Sequence, residues 1–403
     1  MPELSSQQRA TPYKPTTHLS GGHSNGITRV AFNPAGSLLA SAGLDGTVCI
    51  WDTATWSLLD VYYAKTRITA VAWYTDDNLV CGLADGSLSA LVKDGNDVTH
   101  VSGFWAHRYP VEHLSVRGNM VATGAHEELS VWNWDSNPML ACVITSLPPP
   151  VTEQTDTDSS GDDGEDERPD EEQLEVLVTS LSWASSHLIA TYLNHGIRLF
   201  DIQNWKNVRV IDTTPIVSAS LSPNGAFLAA SQVGGSFYVY DLDSGKVIRT
   251  FLRDVTDKSR AVPVLFVHGG HAIACGSTEG TVRIWYVDSG IGLEPLHIPK
   301  GEKVLALAAH YYAASDRFLI ATGAMNEHAP SSIVIWTAGG DQTAAGQSGV
   351  EVEVHESIYQ SSLVPALVYC SALFIVVFAV ASYVLSEERW GASLSVARSH
   401  YAF

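Results

Sequence analysis

The sequence is poor in charged residues and in cysteine, and it lacks the signals of secreted proteins. Only 16% of the residues are charged, and the 5 cysteines lie scattered along the 403 residues. Their odd number and wide spacing argue against a disulfide framework and favour a reducing compartment. The sequence contains no Asn-x-Ser/Thr acceptor. Residues 1–12 are polar, so we expect a disordered N-terminus, no signal peptide and a cytosolic main domain.

The short motifs of common enzyme classes are also missing. There is no His-Glu-x-x-His, no Gly-x-Ser-x-Gly, no Walker-type Gly-Lys-Ser/Thr and no close pair of cysteines. Among the 15 histidines, His268 and His271 flank two glycines, but the residues around them do not form a recognised zinc-binding motif. We therefore expect a protein that is not an enzyme and holds no metal and no cofactor.

Negative charge is concentrated in one segment. The formal net charge is -20, and residues 151–175 carry 12 acidic side chains against Arg168 alone. Such a field repels phosphate backbones, and no cluster of lysine and arginine offsets it, so direct nucleic-acid binding is disfavoured. Because its charge prevents packing, we predict that 151–175 is a disordered insert.

Three hydroxyl residues of this insert are candidate phosphosites. Each has an aspartate three residues later, which resembles the sites of acid-directed kinases, and phosphorylation would deepen the negative charge. A solvated loop without a further role is the alternative interpretation. The candidates are Thr155, Ser159 and Ser160.

One sequence unit recurs along the chain. The first copy begins at Gly22-His23, continues through two apolar segments and the turn Asp45-Gly46, and ends at Trp51-Asp52. The residue that ends the unit is aromatic or a substitute for an aromatic. It recurs at Trp51, Val92, Trp132, Phe200, Tyr240, Trp285 and Trp336. The acidic insert accounts for the one long gap, so the spacing indicates seven units.

Gly-His and Trp-Asp at the two ends of a unit resemble the signature of the WD-repeat family. The resemblance implies an all-β, seven-bladed propeller over residues 13–337, built from four-stranded blades. It also implies a hydrogen-bonded network inside a blade, and the residues that match the family pattern are His23, Ser41, Asp45 and Trp51. Later copies are degenerate, so we expect the full set in the first blade only.

The last blade needs a strand from elsewhere. The seventh unit, residues 304–336, has no outer strand after it, whereas the extended segment 13–20 precedes the first unit without a partner. We predict that 13–20 completes the last blade and closes the ring with the N-terminal part of the chain.

A single long apolar run follows the repeats. Residues 363–385 are uncharged, and as a helix they would span about 34 Å, against about 30 Å of bilayer hydrocarbon. We predict a single C-terminal transmembrane helix, preceded by a flexible linker at 338–362 and followed by a short tail at 386–403.

The orientation of this helix follows from two opposed signals. Arg389 and Arg398 favour a cytosolic C-terminus. A long leading domain without a signal peptide favours the opposite, a tail anchor with a cytosolic propeller, and we expect that arrangement. By the topology of the family, the bottom face of the propeller would then look towards an endoplasmic reticulum or related secretory membrane.

Binding surfaces of this family commonly lie on the top face, near the start of each inner strand. The aligned positions and the unusual turn of the third unit supply the candidate contact residues. These are Thr28, Arg67, Thr69, Glu112, His126, Glu127, Thr179 and Val217. We expect a monomeric, membrane-anchored scaffold or adaptor that recruits cytosolic proteins through this face.

Two alternatives remain open at this stage. The architecture resembles the exchange factor that starts coat assembly at the endoplasmic reticulum, which suggests a guanine nucleotide exchange regulator of a small GTPase, but the long cation-binding loop of that family is missing. A substrate receptor of a ubiquitin ligase usually has arginine two positions after Trp-Asp. Here Trp51-Asp52 is followed by Thr53-Ala54, which makes that function the least favoured.

Overall fold

The computed structural model describes residues 12–95, 97–134, 142–150, 174–252, 261–298, 302–326 and 329–339. These residues form seven antiparallel sheets of four strands each. The strands are rich in β-branched and aromatic residues, which pack well on a pleated surface, and glycine-containing turns separate them. The all-β, seven-bladed fold predicted from the repeat is confirmed.

The strands are numbered in chain order, and each blade is given from its inner to its outer strand. Blades 1 to 3 contain β2 (Ile27–Phe32), β3 (Leu38–Gly43), β4 (Thr47–Asp52) and β5 (Leu58–Tyr63); β6 (Ile68–Trp73), β7 (Asn78–Leu83), β8 (Ser87–Asp94) and β9 (Asp97–Trp105); and β10 (His113–Arg117), β11 (Met120–Ala125), β12 (Glu128–Asn133) and β13 (Cys142–Leu147).

Blades 4 to 7 follow the same plan. They contain β14 (Val178–Trp183), β15 (His187–Tyr192), β16 (Ile197–Asp201) and β17 (Asn207–Ile211); β18 (Ile216–Leu221), β19 (Phe227–Gln232), β20 (Phe237–Asp241) and β21 (Val247–Phe251); β22 (Val264–Val267), β23 (Ala272–Cys275), β24 (Thr281–Tyr286) and β25 (Leu296–His297); and β26 (Lys303–Tyr312), β27 (Arg317–Met325), β28 (Ser331–Gly339) and β1 (Lys14–His23).

The inner strands form a closed ring around a central channel. Each inner strand contacts the inner strand of the next blade, and β26 of blade 7 contacts β2 of blade 1. The core lies between the blades. At the closing junction, for example, Leu39 and Trp51 of blade 1 pack in one buried cluster with Leu319 and Ala321 of blade 7. Each blade thus buries its faces against its neighbours.

Strand β1 is the outer strand of blade 7 and pairs with β28. Leu19 lies opposite Ile333, and the pairing reaches His23 opposite Ser331 after a register shift. Because the pairing continues that far, the strand runs three residues past the segment 13–20 inferred from the sequence. The first and last strands of the propeller are therefore adjacent in one sheet.

The residue that ends the unit of blade 2 differs from the prediction by one position. Trp51 of blade 1 pairs with Leu39 of the second strand, and Leu91 holds the same place in blade 2 because it pairs with Leu79. Val92, the residue predicted from the sequence, corresponds to Asp52. Leu91 is fully buried, so the core needs an apolar side chain here but not an aromatic one.

Parts of the predicted domain plan lie outside the described residues. These are residues 1–11, most of the acidic insert, nearly all of the linker, the segment 363–385 and the tail 386–403. Within the described ranges, no helix has the length and apolar character needed to cross a bilayer.

Candidate partner-binding site on the top face

The top face is the end of the propeller where each outer strand leads into the inner strand of the next blade. In an antiparallel meander, the turn between the second and third strands lies at the same end. The Ala64 N–H donates to the Gly46 carbonyl at 2.8 Å, which joins a lead-in loop to such a turn. Gly46 has a φ of 76°, a left-handed value that favours glycine. Two kinds of loop therefore build this surface.

The four network residues predicted in blade 1 lie together beneath the top face. His23 Nε2 is 2.8 Å from Ser41 Oγ, and the Trp51 indole N–H donates to the same oxygen at 3.0 Å. His23 Nδ1 is 3.3 Å from Asp45 Oδ1. Burial alone would raise the pKa of Asp45, but hydrogen bonds from His23 and Thr47 outweigh it and lower that pKa. The network ties the lead-in loop to the turn and to β4.

Blade 3 contains a second network of the same design that the sequence did not predict, although, of the two, only blade 1 has the aspartate. His107 Nε2 is 2.7 Å from Thr123 Oγ1, to which the Trp132 indole N–H donates at 2.9 Å. Glu128 takes the place of the aspartate, with Oε2 3.0 Å from His107 Nδ1. Its longer side chain reaches the histidine from the first position of β12. The sequence signal was Ala106-His107, which differs from Gly-His by one methyl group.

The turn of blade 3 holds a histidine between two carboxylates. His126 is not glycine, yet it has a φ of 56°. Its ring stacks on Tyr109 with centroids 4.5 Å apart, its Nδ1 contacts Glu127, and its Nε2 is 2.8 Å from Glu175 Oε1. The sequence assigned Glu175 to the disordered insert. The structure corrects that boundary. Glu175 lies just ahead of β14 and is hydrogen-bonded to His126 in the turn of blade 3.

Burial lowers the pKa of His126, but the hydrogen bonds to Glu175 and Glu127 outweigh burial and raise it above its usual value. The turn therefore favours a positively charged imidazole. Both candidate residues of this turn, His126 and Glu127, are occupied by contacts within the blade and with the lead-in to blade 4.

The candidate threonines of the inner strands are used within the propeller. The Thr28 hydroxyl is buried and donates to the Ile68 carbonyl of blade 2 at 2.8 Å. The Thr69 hydroxyl donates to the Val111 carbonyl, just ahead of blade 3, at 2.6 Å, and Thr179 bonds Thr191 within blade 4 at 2.9 Å. The hydroxyls of Thr28 and Thr69 therefore join neighbouring blades, and the contact of these residues with a partner stays a prediction.

Four exposed side chains on the top side of blades 1 and 2 carry an aromatic ring or a positive charge, and we call them the basic-aromatic patch: Tyr63, Lys65, Arg67 and Trp105. Tyr63 is 74% exposed and Trp105 is 71% exposed. They occupy equivalent places, since each ends an outer strand and pairs with the first residue of the third strand of its blade.

One ring of the patch is held by a hydrogen bond, whereas its two cations have no partner among the described residues. The Trp105 indole N–H donates to the Asp85 carbonyl at 3.1 Å, which fixes the orientation of an exposed ring. Lys65 and Arg67 are exposed, and their side chains form no ion pair or hydrogen bond with any described residue. Of these four residues the sequence identified only Arg67, because exposure depends on the packing of neighbouring blades.

A cavity of about 270 Å³ lies at the top of the central channel. Its walls come from inner strands all round the ring, and they include Arg29, His113 and the candidate residues Glu112, Thr179 and Val217. Glu112 and Ala261 at its rim are exposed, so the cavity opens to solvent on the top face. The sequence signal for Arg29 was a single charge inside the apolar segment Ile27–Phe32.

The histidine pair noted in the sequence has a structural role. His268 begins a short 3-10 turn, His268–Gly270, and its Nε2 lies 2.7 Å from the Tyr13 hydroxyl. Its ring also packs on Phe318 with centroids 4.6 Å apart. Within the ranges that the structure covers, no group of three or more His, Cys, Asp and Glu side chains is placed to hold a metal ion.

The candidate phosphosites Thr155, Ser159 and Ser160 lie outside the described residues. Three cysteines are described with their side chains, and all three carry buried free thiols. Burial raises the pKa of Cys81 to about 12, so this thiol stays protonated and packs as a small apolar group.

Comparison with known proteins identifies relatives of the repeat. The model of the family described as "WD domain, G-beta repeat" matches residues 13–52. The "Periodic tryptophan protein 2 homolog" of Caenorhabditis elegans is 22% identical over 278 residues, which covers 66% of this chain and 27% of that protein. "Protein tipD" of Dictyostelium discoideum is 20% identical over 260 residues, which covers 58% of this chain and 42% of that protein.

"WD repeat and HMG-box DNA-binding protein 1" of Xenopus laevis is 23% identical over 301 residues, which covers 72% of this chain and 24% of that protein. The chain spans less than half the length of each of these three relatives. The family match and the seven blades agree with each other, and the two His-Ser/Thr-acid-Trp networks agree with both. Residues 13–52 match the WD-repeat family, and the described part of the chain folds as the seven-bladed β-propeller expected from the repeat.

Proposed function

We propose that this protein is a membrane-anchored scaffold whose propeller recruits protein partners through its top face. WD-repeat propellers are generally non-enzymatic and bind other proteins. The observation that carries the proposal is the basic-aromatic patch, which combines two exposed aromatic rings with two cations that no described residue neutralises.

The composition of the patch fits a protein interface. Tryptophan, tyrosine and arginine are the residues that most often contribute binding energy at interfaces. Trp105 is held by its hydrogen bond to Asp85, so little conformational freedom is lost when a partner covers it. Lys65 and Arg67 are positive charges on a chain whose formal net charge is -20. They favour a partner that brings acidic groups against the patch.

Membrane attachment rests on the sequence. Residues 363–385 form an uncharged apolar run long enough to span a bilayer, and we propose that they anchor the chain with its propeller in the cytosol. A tether raises the effective concentration of the recruited partners at the membrane.

Proximity labelling from the full chain in cells tests the recruiting surface. We expect the combined variant Lys65→Glu, Arg67→Glu and Trp105→Ala to lose a defined group of labelled proteins. The matched control is Lys206→Glu with Lys246→Glu, which makes the same change in charge at exposed turns on the bottom face and should keep those proteins. Equal labelling by both variants would refute the role of the patch.

Carbonate extraction and protease protection test the anchor separately. We expect the full chain to stay with membranes after extraction and its propeller to be digested by protease added to intact vesicles. Deletion of 363–385 should release the chain. A protected propeller would place it on the lumenal side and contradict the proposed topology.

A further inference from the structure

Arg29 is the one charged residue of the inner strand β2, and its side chain lines the cavity at the top of the channel. Its Nη1 donates to the Thr28 carbonyl at 2.9 Å, and its Nη2 donates to the Glu112 carbonyl at 3.1 Å. Arg29 belongs to blade 1 and Glu112 leads into blade 3, so the guanidinium extends past the inner strand of blade 2. It is thereby fixed at the wall of the cavity.

Most of the hydrogen-bonding capacity of this guanidinium is unused. An arginine side chain has five N–H donors, and the two bonds to carbonyl groups use two of them. Arg29 forms no ion pair with any described residue. The acceptors that it does have are neutral, so the positive charge itself lacks a direct counterion within the described part of the chain.

The surroundings of Arg29 compensate the burial of its charge only in part. Burial lowers the pKa of Arg29, and the carboxylate of Glu112 offsets that only in part. Burial and the positive charge of Arg29 together hold the pKa of His113 at about 3, so the neighbouring imidazole stays neutral. Proteins usually pair a partly buried cation with a carboxylate. Here backbone carbonyls hold the guanidinium of Arg29 in place instead.

The cavity beside Arg29 has the size and lining of a site for one acidic side chain. At about 270 Å³ it is smaller than the usual pocket for a drug-sized molecule. Ser218 lines it, and its hydroxyl bonds no described residue, whereas Leu305 and Leu307 supply an apolar wall. A cation, a free hydroxyl and apolar side chains in one cavity match a carboxylate with its methylene groups.

We propose that this cavity binds the side chain of an aspartate or glutamate in a partner segment that lies across the top face. The guanidinium would donate to the carboxylate with the N–H groups that the protein leaves unused, and Ser218 would add a further donor. This inference rests on the proposed function, since it names the chemistry that a recruited partner presents at the centre of the face.

A peptide library on the immobilised full chain tests the site. The library consists of ten-residue peptides that are random except for a central Asp, Glu, Asn or Gln. We expect the wild-type chain to retain peptides with a central acid about tenfold more strongly than their amide counterparts, and Arg29→Met to lose that preference. Arg117→Met is the matched control, because Arg117, like Arg29, donates to two backbone carbonyls but lies at the bottom end of β10.

A second variant guards against loss of folding in Arg29→Met. Ser218→Leu fills the cavity without changing the hydrogen bonds of Arg29, and it should also remove the preference, while thermal unfolding by circular dichroism verifies the fold of each variant. The absence of any preference in the wild type, or a preference that survives both variants, would overturn the proposal. Stabilisation by inorganic phosphate that depends on Arg29, without a preference for acidic peptides, would assign the site to a free anion and overturn it as well.

These outcomes are independent of the test of the proposed function. The first case is that the patch variant loses its labelled proteins while Arg29→Met keeps the preference for acidic peptides. This result supports the scaffold role and refutes the channel site. The second case is that the acid preference depends on Arg29 but the patch variant keeps every labelled protein. This result supports the channel site and refutes the role of the patch.

Discussion

The hydroxyl of Tyr13 lies 2.7 Å from Nε2 of His268, 255 residues later in the chain. Both side chains are buried, and burial holds the pKa of His268 at about 4, so the imidazole is neutral at physiological pH. The contact joins the residue just ahead of β1 to the turn between β22 and β23 of blade 6. A neutral histidine therefore helps to hold the strand that closes the ring.

The first prediction concerns acid stability. The unfolded chain binds a proton at His268 below a pH of about 6.5, whereas the folded chain does so only near pH 4, so the stability that neutral His268 contributes is lost as the pH falls from 6.5 to 4. Between pH 7 and pH 4.5 this residue should account for about 2 kcal/mol of lost stability. His268→Gln should be less stable at pH 7 but lose less on acidification.

Urea unfolding of the full chain at the two pH values measures this difference. His297→Gln is the control, because His297 is an exposed histidine of the same blade. If His268→Gln and the wild type lose the same free energy of unfolding between pH 7 and pH 4.5, then His268 is not the group responsible.

A second prediction tests whether the network of blade 3 is equivalent to that of blade 1. Ser41→Ala removes the oxygen shared by His23 and Trp51, and Thr123→Val removes the oxygen shared by His107 and Trp132. Each change leaves two buried polar groups unsatisfied and should lower the free energy of unfolding by about 1 to 3 kcal/mol. Urea denaturation measures both.

The exposed Ser57→Ala should cost much less and serves as the control. A loss in blade 1 without a comparable loss in blade 3 would mean that the Thr123 network is not a structural equivalent of the first.

The repeat allowed the number of blades, the order of strands and the network of blade 1 to be predicted, because burial in a propeller repeats with the sequence. The second network escaped prediction for a local reason. Glu128 replaces an aspartate from a shifted position, and only the three-dimensional register shows that its longer side chain reaches His107.

The top-face residues were harder to predict, since alignment gives their position but not their contacts. Thr28 and Thr69 are at the aligned places, and the structure uses their hydroxyls between blades. Tyr63 and Trp105 drew no notice in the sequence because an aromatic residue at the end of a strand is ordinarily buried. Arg29 was missed as well, although the single charge in β2 was the signal that could have identified it.

A third prediction concerns β1. Deletion of residues 1–20 removes most of the strand that pairs with β28, including the buried Leu19, and leaves an unpaired edge on blade 7. We expect a large fall in the thermal unfolding temperature or aggregation of the shortened chain. Deletion of residues 1–11 removes no described strand and should leave unfolding unchanged. Equal unfolding temperatures for the two deletions would contradict the closing role of β1.

A fourth prediction concerns the turn of blade 3. The pKa of His126 should lie above about 6.5 in the folded chain, because its bonds to Glu175 and Glu127 favour the charged imidazole. The contribution of these bonds is therefore complete at acidic pH and is lost as the pH rises through the raised pKa. Nuclear magnetic resonance titration of the histidine ring protons measures this value.

Glu175→Gln should lower the pKa of His126, whereas Glu294→Gln, an exposed change in blade 6, should not. An unchanged pKa in Glu175→Gln would show that the contact between the turn and the lead-in to blade 4 does not form in solution.

The pairing of β1 with β28 also governs how the chain matures during synthesis. Thr16 and Thr337 share a hydrogen bond although 321 residues separate them. At about 5 to 20 residues per second, a ribosome needs roughly 15 to 60 seconds to deliver the partner of the first strand. Throughout that interval β1 is without its partner strand. The ring can therefore close only after β28 has been synthesised, and a nascent chain stalled before β28 stays open.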